Sequence, residues 1–126
     1  MQTREPAFDD LKSSAFDPDA LWNRVDGDGD LLRDLVAVFA IEAPAMLSRI
    51  GKAIEAGDAT DLEKGGHKIK GSLLQLAAPA AAATAGRLEA LASSGTLAGT
   101  ETLRNTLRQE VDFLMTKLDA MVRRIG

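Results

Sequence analysis

The chain has no cysteine and no tyrosine, a single tryptophan and a single histidine. The missing thiols exclude disulfides, thiolate zinc sites and cysteine nucleophiles, and they permit a reducing compartment. No apolar run approaches the roughly 20 residues that cross a bilayer, and the opening MQTREPAFDD lacks the apolar core of a secretory signal. A cytoplasmic protein with no membrane partner is therefore expected. Basic clusters are missing too: 15 Lys and Arg lie dispersed among 19 Asp and Glu, for a net charge of -4, which argues against a nucleic-acid partner. No glycine-rich loop of the P-loop or dinucleotide type occurs, so nothing supports nucleotide binding.

What is present describes a helical domain. Hydrophobic residues make up 45% of the 126 positions and charged residues 27%, which suits one globular unit. Alanine is abundant, and the four Phe and one Trp are too few for a sheet-rich core. Residues 1–15 carry no period and read as a flexible lead-in, leaving 16–126 as the domain. Asp17 and Pro18 then open a short helix ending near Arg24. The following VDGDGD fails as a calcium loop of the EF-hand kind, because counting from Asp26 the sixth and twelfth positions are Leu31 and Ala37. It reads instead as a turn whose Asp28 or Asp30 caps the next helix.

Leu32, Leu35, Phe39, Ala43, Met46, Ile50 and Ile54 form one stripe of a long helix, with a kink or short break expected at Pro44. Gly57 supplies its C-cap, Asp58 caps the next helix, and Asp61 stands in a capping-box-like position. That next helix is expected over about residues 59–77. Pro79 starts another, with Leu88, Leu91 and Ala92 as core candidates and Gly95 as its stop. A last helix begins near Thr100 and carries Leu103, Leu107, Val111, Leu114, Leu118, Val122 and Ile125. Four long amphipathic helices with short connections predict an all-α, antiparallel four-helix bundle with a short extra N-terminal helix.

The lone histidine lies in GGHKIKGS, where glycines weaken a helix by about 1 kcal/mol each relative to alanine. At about 100° per residue, with His67 set to zero, Leu62, Ile69, Leu73 and Leu76 fall between about 180° and 240°. That side is the buried stripe, so His67 points to solvent. Gly71 and Lys64 lie within about 60° on one side of it, Glu63 and Lys70 within about 60° on the other, and Leu74 within roughly 20° one turn further on. Gly71 thus removes a side chain beside the imidazole and opens space for another backbone or a phosphate. Gly65 has no evident role beyond being tolerated.

An exposed neutral imidazole is a competent nucleophile toward phosphorus. Lys70, one turn away on the same face, can bring a cation to phosphoryl oxygens. One histidine with Glu63 is too few ligands for a metal site, and a convex helix face offers no pocket for a Ser-His-Asp arrangement. Without a cofactor site, phosphate would arrive and leave on another protein.

The stretch HKIKGSLLQLAA resembles the signature of histidine phosphotransfer (HPt) domains: the histidine is His67, followed by an apolar residue, lysine, glycine and serine at Ile69, Lys70, Gly71 and Ser72. Gln75 and Leu76 stand where the family often has Asn and Leu. AGRLEALASSG, with its Leu88-Glu89 pair, is similar to the helix after it. DGDGDLLRDLVAVFAIEAPAML, with Phe39 and Glu42, is similar to the family's first long helix. The resemblance covers roughly residues 17–122. It departs at Leu73 and Leu74, where the family usually has small residues, and at Ala77, where it commonly has Gly. Leu73 falls on the core stripe, whereas Leu74 bears on which partners fit.

The resemblance implies a phosphorelay intermediate. Such a domain accepts a phosphoryl group from a response-regulator receiver aspartate and passes it to another receiver, with Mg²⁺ held by the receiver and no cofactor of its own. His67 is then the phosphoacceptor, Lys70 the phosphoryl-stabilising cation and Gly71 the point of access. Glu63, Lys64, Lys68, Leu74 and Gln75 are candidates for receiver contact, with the chain expected to be a monomer. Two other readings are a bundle that binds or inhibits a receiver or kinase without taking phosphate, and one domain of a hybrid sensor histidine kinase.

Overall fold

The computed structural model describes residues 7–125. A 3-10 turn, Asp9–Leu11, precedes five helices: α1 Pro18–Arg24, α2 Gly29–Ala56, α3 Ala59–Gln75, α4 Pro79–Ser93 and α5 Thr100–Arg124. There is no strand among the described residues beyond one isolated bridge between Ser13 and Phe16. Aspartates start three of the helices. Asp17 accepts from the Ala20 N–H, Asp28 from that of Leu31 and Asp58 from that of Asp61, at 3.0–3.1 Å. Each satisfies a backbone donor that the first helical turn leaves over. Asp61 does not close a capping box. Its carboxylate instead takes the Arg49 guanidinium of α2 at 2.7 Å.

The four long helices pack in a ring, α2 on α3, α3 on α4, α4 on α5 and α5 back on α2. This all-α bundle, with α1 as the short extra helix, is the architecture the periodicity predicts. Leu32, Ile50, Leu62, Ile69, Leu73, Leu88, Leu107 and Leu118 are wholly buried. At about 1.5–3 kcal/mol per large apolar side chain, Leu62, Ile69 and Leu73 alone outweigh the helix cost of the three glycines in α3. α2 runs unbroken through Pro44. No helix is long and apolar enough to cross a membrane among the described residues.

Residues 1–6 lie outside the described residues, but from Ala7 onward the supposed lead-in is packed. Phe8, Leu11 and Phe16 are buried, and the Phe8 ring meets Trp22 edge-on at 5.8 Å. Arg124, at the far end of α5, binds the Asp10 carboxylate with both terminal nitrogens at 2.6 Å and the Ala7 carbonyl at 3.0 Å. Three apolar residues in a short irregular segment have no period to read, yet each fills a gap at the end of the bundle.

Candidate functional site

The site is built on α3 and α4. The α3 backbone stays helical through Gly65 and Gly66, both of which are buried. A Cβ on Gly66 would lie 3.2 Å from the Glu89 nitrogen and 3.3 Å from the Ala85 carbonyl oxygen, so α3 and α4 approach backbone to backbone there. A Cβ on Gly65 would lie 3.1 Å from Ile50 Cγ1 of α2. Both glycines therefore allow close helix packing on the two sides of α3. Gly71 differs: nothing lies within 4 Å of its notional Cβ. Its place on the helix is open, as the wheel predicts.

His67 projects from α3 with 71% of its side chain exposed. Its Nδ1 lies 2.6 Å from Oε2 of Glu89 on α4, whose other oxygen accepts from Lys70 Nζ at 2.5 Å. Glu89 was not singled out as a site residue by the sequence reading, which noted only the Leu88-Glu89 pair. The structure makes it the hub, because one carboxylate receives both chemically distinctive side chains of α3. The Lys70 ammonium chiefly, with the His67 ring, holds the Glu89 carboxyl below the usual carboxylate range, against the opposing effect of its partial burial. An ionised carboxylate can only accept, so Nδ1 carries the proton of a neutral ring. Nε2 is then the ring nitrogen with the available lone pair.

The other predicted residues divide among different surfaces. Glu63 and Lys64 line a shallow basin of about 390 Å³ together with His67 and Glu89. Lys68 faces the α2 side, in a depression shared with Glu42, Met46 and Arg49. Gln75 opens toward Leu35, Val38 and Phe39 at the other end of the α2–α3 seam. Leu74 is 52% exposed and sits over α1 and the α3–α4 connection. Lys70 stands only 31% exposed and engaged with Glu89, rather than free on the outer face. The C-terminal end of α3 is held by Arg24 of α1, whose guanidinium donates to the Leu74 carbonyl and, at 2.9 Å, to that of Gln75. A cation there also complements the helix dipole. Ala77, just past α3, adopts φ +57°, a left-handed conformation that explains why glycine suits this position.

The family model of the Hpt domain matches residues 34–120 of the chain. The chain belongs to the Hpt domain family. It is thus a phosphotransfer module of two-component systems, whose family members work with response-regulator receiver domains. The solved structure of histidine-containing phosphotransfer protein B (HptB) from Pseudomonas aeruginosa PAO1 is similar in fold. That match has a TM-score of 0.84 at 22% identity, covering 90% of this chain and 98% of that one. A search among curated proteins found no match. The Hpt family match spans α3 and α4, and so contains His67, Lys70, Gly71 and Glu89.

Proposed function

We propose that His67 is the phosphoacceptor of a phosphorelay, and that it works through Nε2. The observation carrying this reading is the 2.6 Å contact between His67 Nδ1 and Glu89, made by a ring that is otherwise exposed to solvent. In the forward step the Nε2 lone pair attacks the phosphorus of a receiver's aspartyl phosphate. The bond from phosphorus to the aspartate oxygen breaks, and the receiver's carboxylate leaves. The ring, phosphorylated on Nε2 and still protonated on Nδ1, gains positive charge, which the Glu89 anion stabilises. Transfer to a second receiver is the reverse: an aspartate oxygen attacks phosphorus and Nε2 departs. Mg²⁺ belongs to the receiver.

Lys70 has two duties on this reading. Before transfer it helps keep Glu89 ionised; during transfer its ammonium, one helical turn from His67, serves the phosphoryl oxygens. Gly71 gives the receiver's backbone room to approach. Glu63 and Lys64 flank the basin, Leu74 and Gln75 extend the contact surface along α3, and Lys68 widens it toward α2. The test is to incubate the chain with a labelled, phosphorylated receiver. Acid-labile, base-stable phosphate should form on the wild-type chain and be lost in His67→Gln; label that persists in that variant overturns the assignment.

A further inference from the structure

A cavity of about 440 Å³ lies between α2 and α5, on the side of the ring away from His67. Its floor is apolar: Ala43 and Val111 are buried, and Leu47 and Met115 are half-buried. On α2 it extends from Ala40 to Ser48, about 12 Å at the helical rise per residue. One end is cationic. Arg104 and Arg108 stand one turn apart on α5, and Asp112 is the one acidic residue in the lining. Arg104 is already bridged to Glu101, whereas Arg108 makes no ion pair among the described residues and is the cation left over at the edge of the apolar trough.

Two further features show how the groove is built. A Cβ on Gly51 would lie 2.7 Å from Arg104 Nη2, so this glycine provides the seat in which the guanidinium crosses α2. Glu101 steadies the same guanidinium from behind at 2.8 Å. Pro44, on the wall, has no N–H to give the Ala40 carbonyl one turn back. An apolar trough of ligand size, between bundle helices and with a few convergent polar groups, is the usual form of a small-molecule site.

We propose that the α2–α5 groove binds a small anionic amphiphile, an aliphatic carboxylate whose chain lies along Ala43, Leu47, Val111 and Met115 and whose head meets Arg104 and Arg108. The guanidiniums suit a carboxylate by paired N–H donors, and the apolar floor rewards burial of the chain. The site shares no residue with the His67 surface.

The probe is sodium decanoate below its micelle concentration, added to the ¹⁵N-labelled chain while amide shifts are followed, with 1-decanol and acetate as controls. Saturable shifts confined to residues 40–51 and 101–115 are expected, with decanoate binding at least tenfold tighter than either control. Arg104→Gln with Arg108→Gln should abolish the preference over decanol, and Arg108→Glu alone, at an exposed position, should reverse it if the double variant fails to fold. Ala40→Trp, on the exposed rim, should block both. Decanol binding as tightly as decanoate, a preference that survives Arg108→Glu, or shifts scattered over the whole surface overturns the proposal. No receiver and no phosphate enter the measurement, so its failure is distinct from failure of the His67 assignment.

Discussion

Glu89 on α4 touches His67 with one carboxylate oxygen and Lys70 with the other, at 2.6 Å and 2.5 Å. His67 and Lys70 are thus tied to one residue of the next helix, 22 and 19 positions away in sequence. Removing that charge should affect transfer more than folding. Glu89→Gln should keep the helical circular dichroism while lowering the phosphotransfer rate by roughly tenfold or more, since loss of the residue orienting a metal-bound histidine costs about ten- to a hundredfold and loss of the one orienting a triad histidine far more. Nitrogen chemical shifts of the ring should move from one tautomer toward a mixture; an unchanged rate with unchanged shifts would remove Glu89 from the site.

The glycines of α3 should separate cleanly. Gly71 is an exposed helix position with open space, so Gly71→Ala should stabilise the chain by about 1 kcal/mol, and Gly71→Gln should stabilise it somewhat less while blocking transfer. Gly66 faces the α4 backbone, so Gly66→Val should destabilise by about 1–3 kcal/mol through overpacking. Urea denaturation of the three variants, together with transfer assays, checks the contrast. Normal transfer by Gly71→Gln would end the access role of that position.

At the end of the bundle, packing should matter more than charge. Phe8→Ala should cost about 3 kcal/mol because the ring is buried against Trp22. Asp10→Asn breaks an exposed ion pair and should cost far less. Thermal melts of the two variants should differ by several degrees; equal melting temperatures would mean that this segment lends little stability.

Stability should fall in acid through identifiable groups. Asp10, Asp61 and Glu89 each have folded-state pKa values below their ordinary ones, held down by Arg124, Arg49 and Lys70 respectively. Their contribution is complete above the ordinary carboxylate values of 3.8 and 4.5 and is lost as pH drops through the lower folded ones. The urea midpoint should therefore hold from neutrality down to about pH 5 and decline below about pH 4. Glu89→Gln should soften the decline. A midpoint unaffected by pH down to 3 would contradict these pairings.

Much of the bundle could be read from the chain because its signals are local. Asp17, Asp28 and Asp58 cap helices at the positions where one turn of sequence predicts them, and the wheel of α3 separates exposed His67 and Gly71 from buried Ile69 and Leu73. What could not be read belongs to pairs of helices. A wheel drawn for α3 says nothing about which face of α4 meets it, so neither Glu89's part nor the reason for Gly66 was visible. The same limit left Gly65 without a role until Ile50 of α2 was found beside it. It also made Lys70 look like a free cation, when it is already held by a carboxylate from the next helix. Phe8 and Leu11 escaped for another reason, since two anchors in an irregular segment make no pattern.

The contact at Gly66 has a mechanical meaning. The neighbour of His67 has no room for a side chain against the backbone nitrogen of Glu89, so main-chain atoms gauge the spacing between His67 and its carboxylate partner.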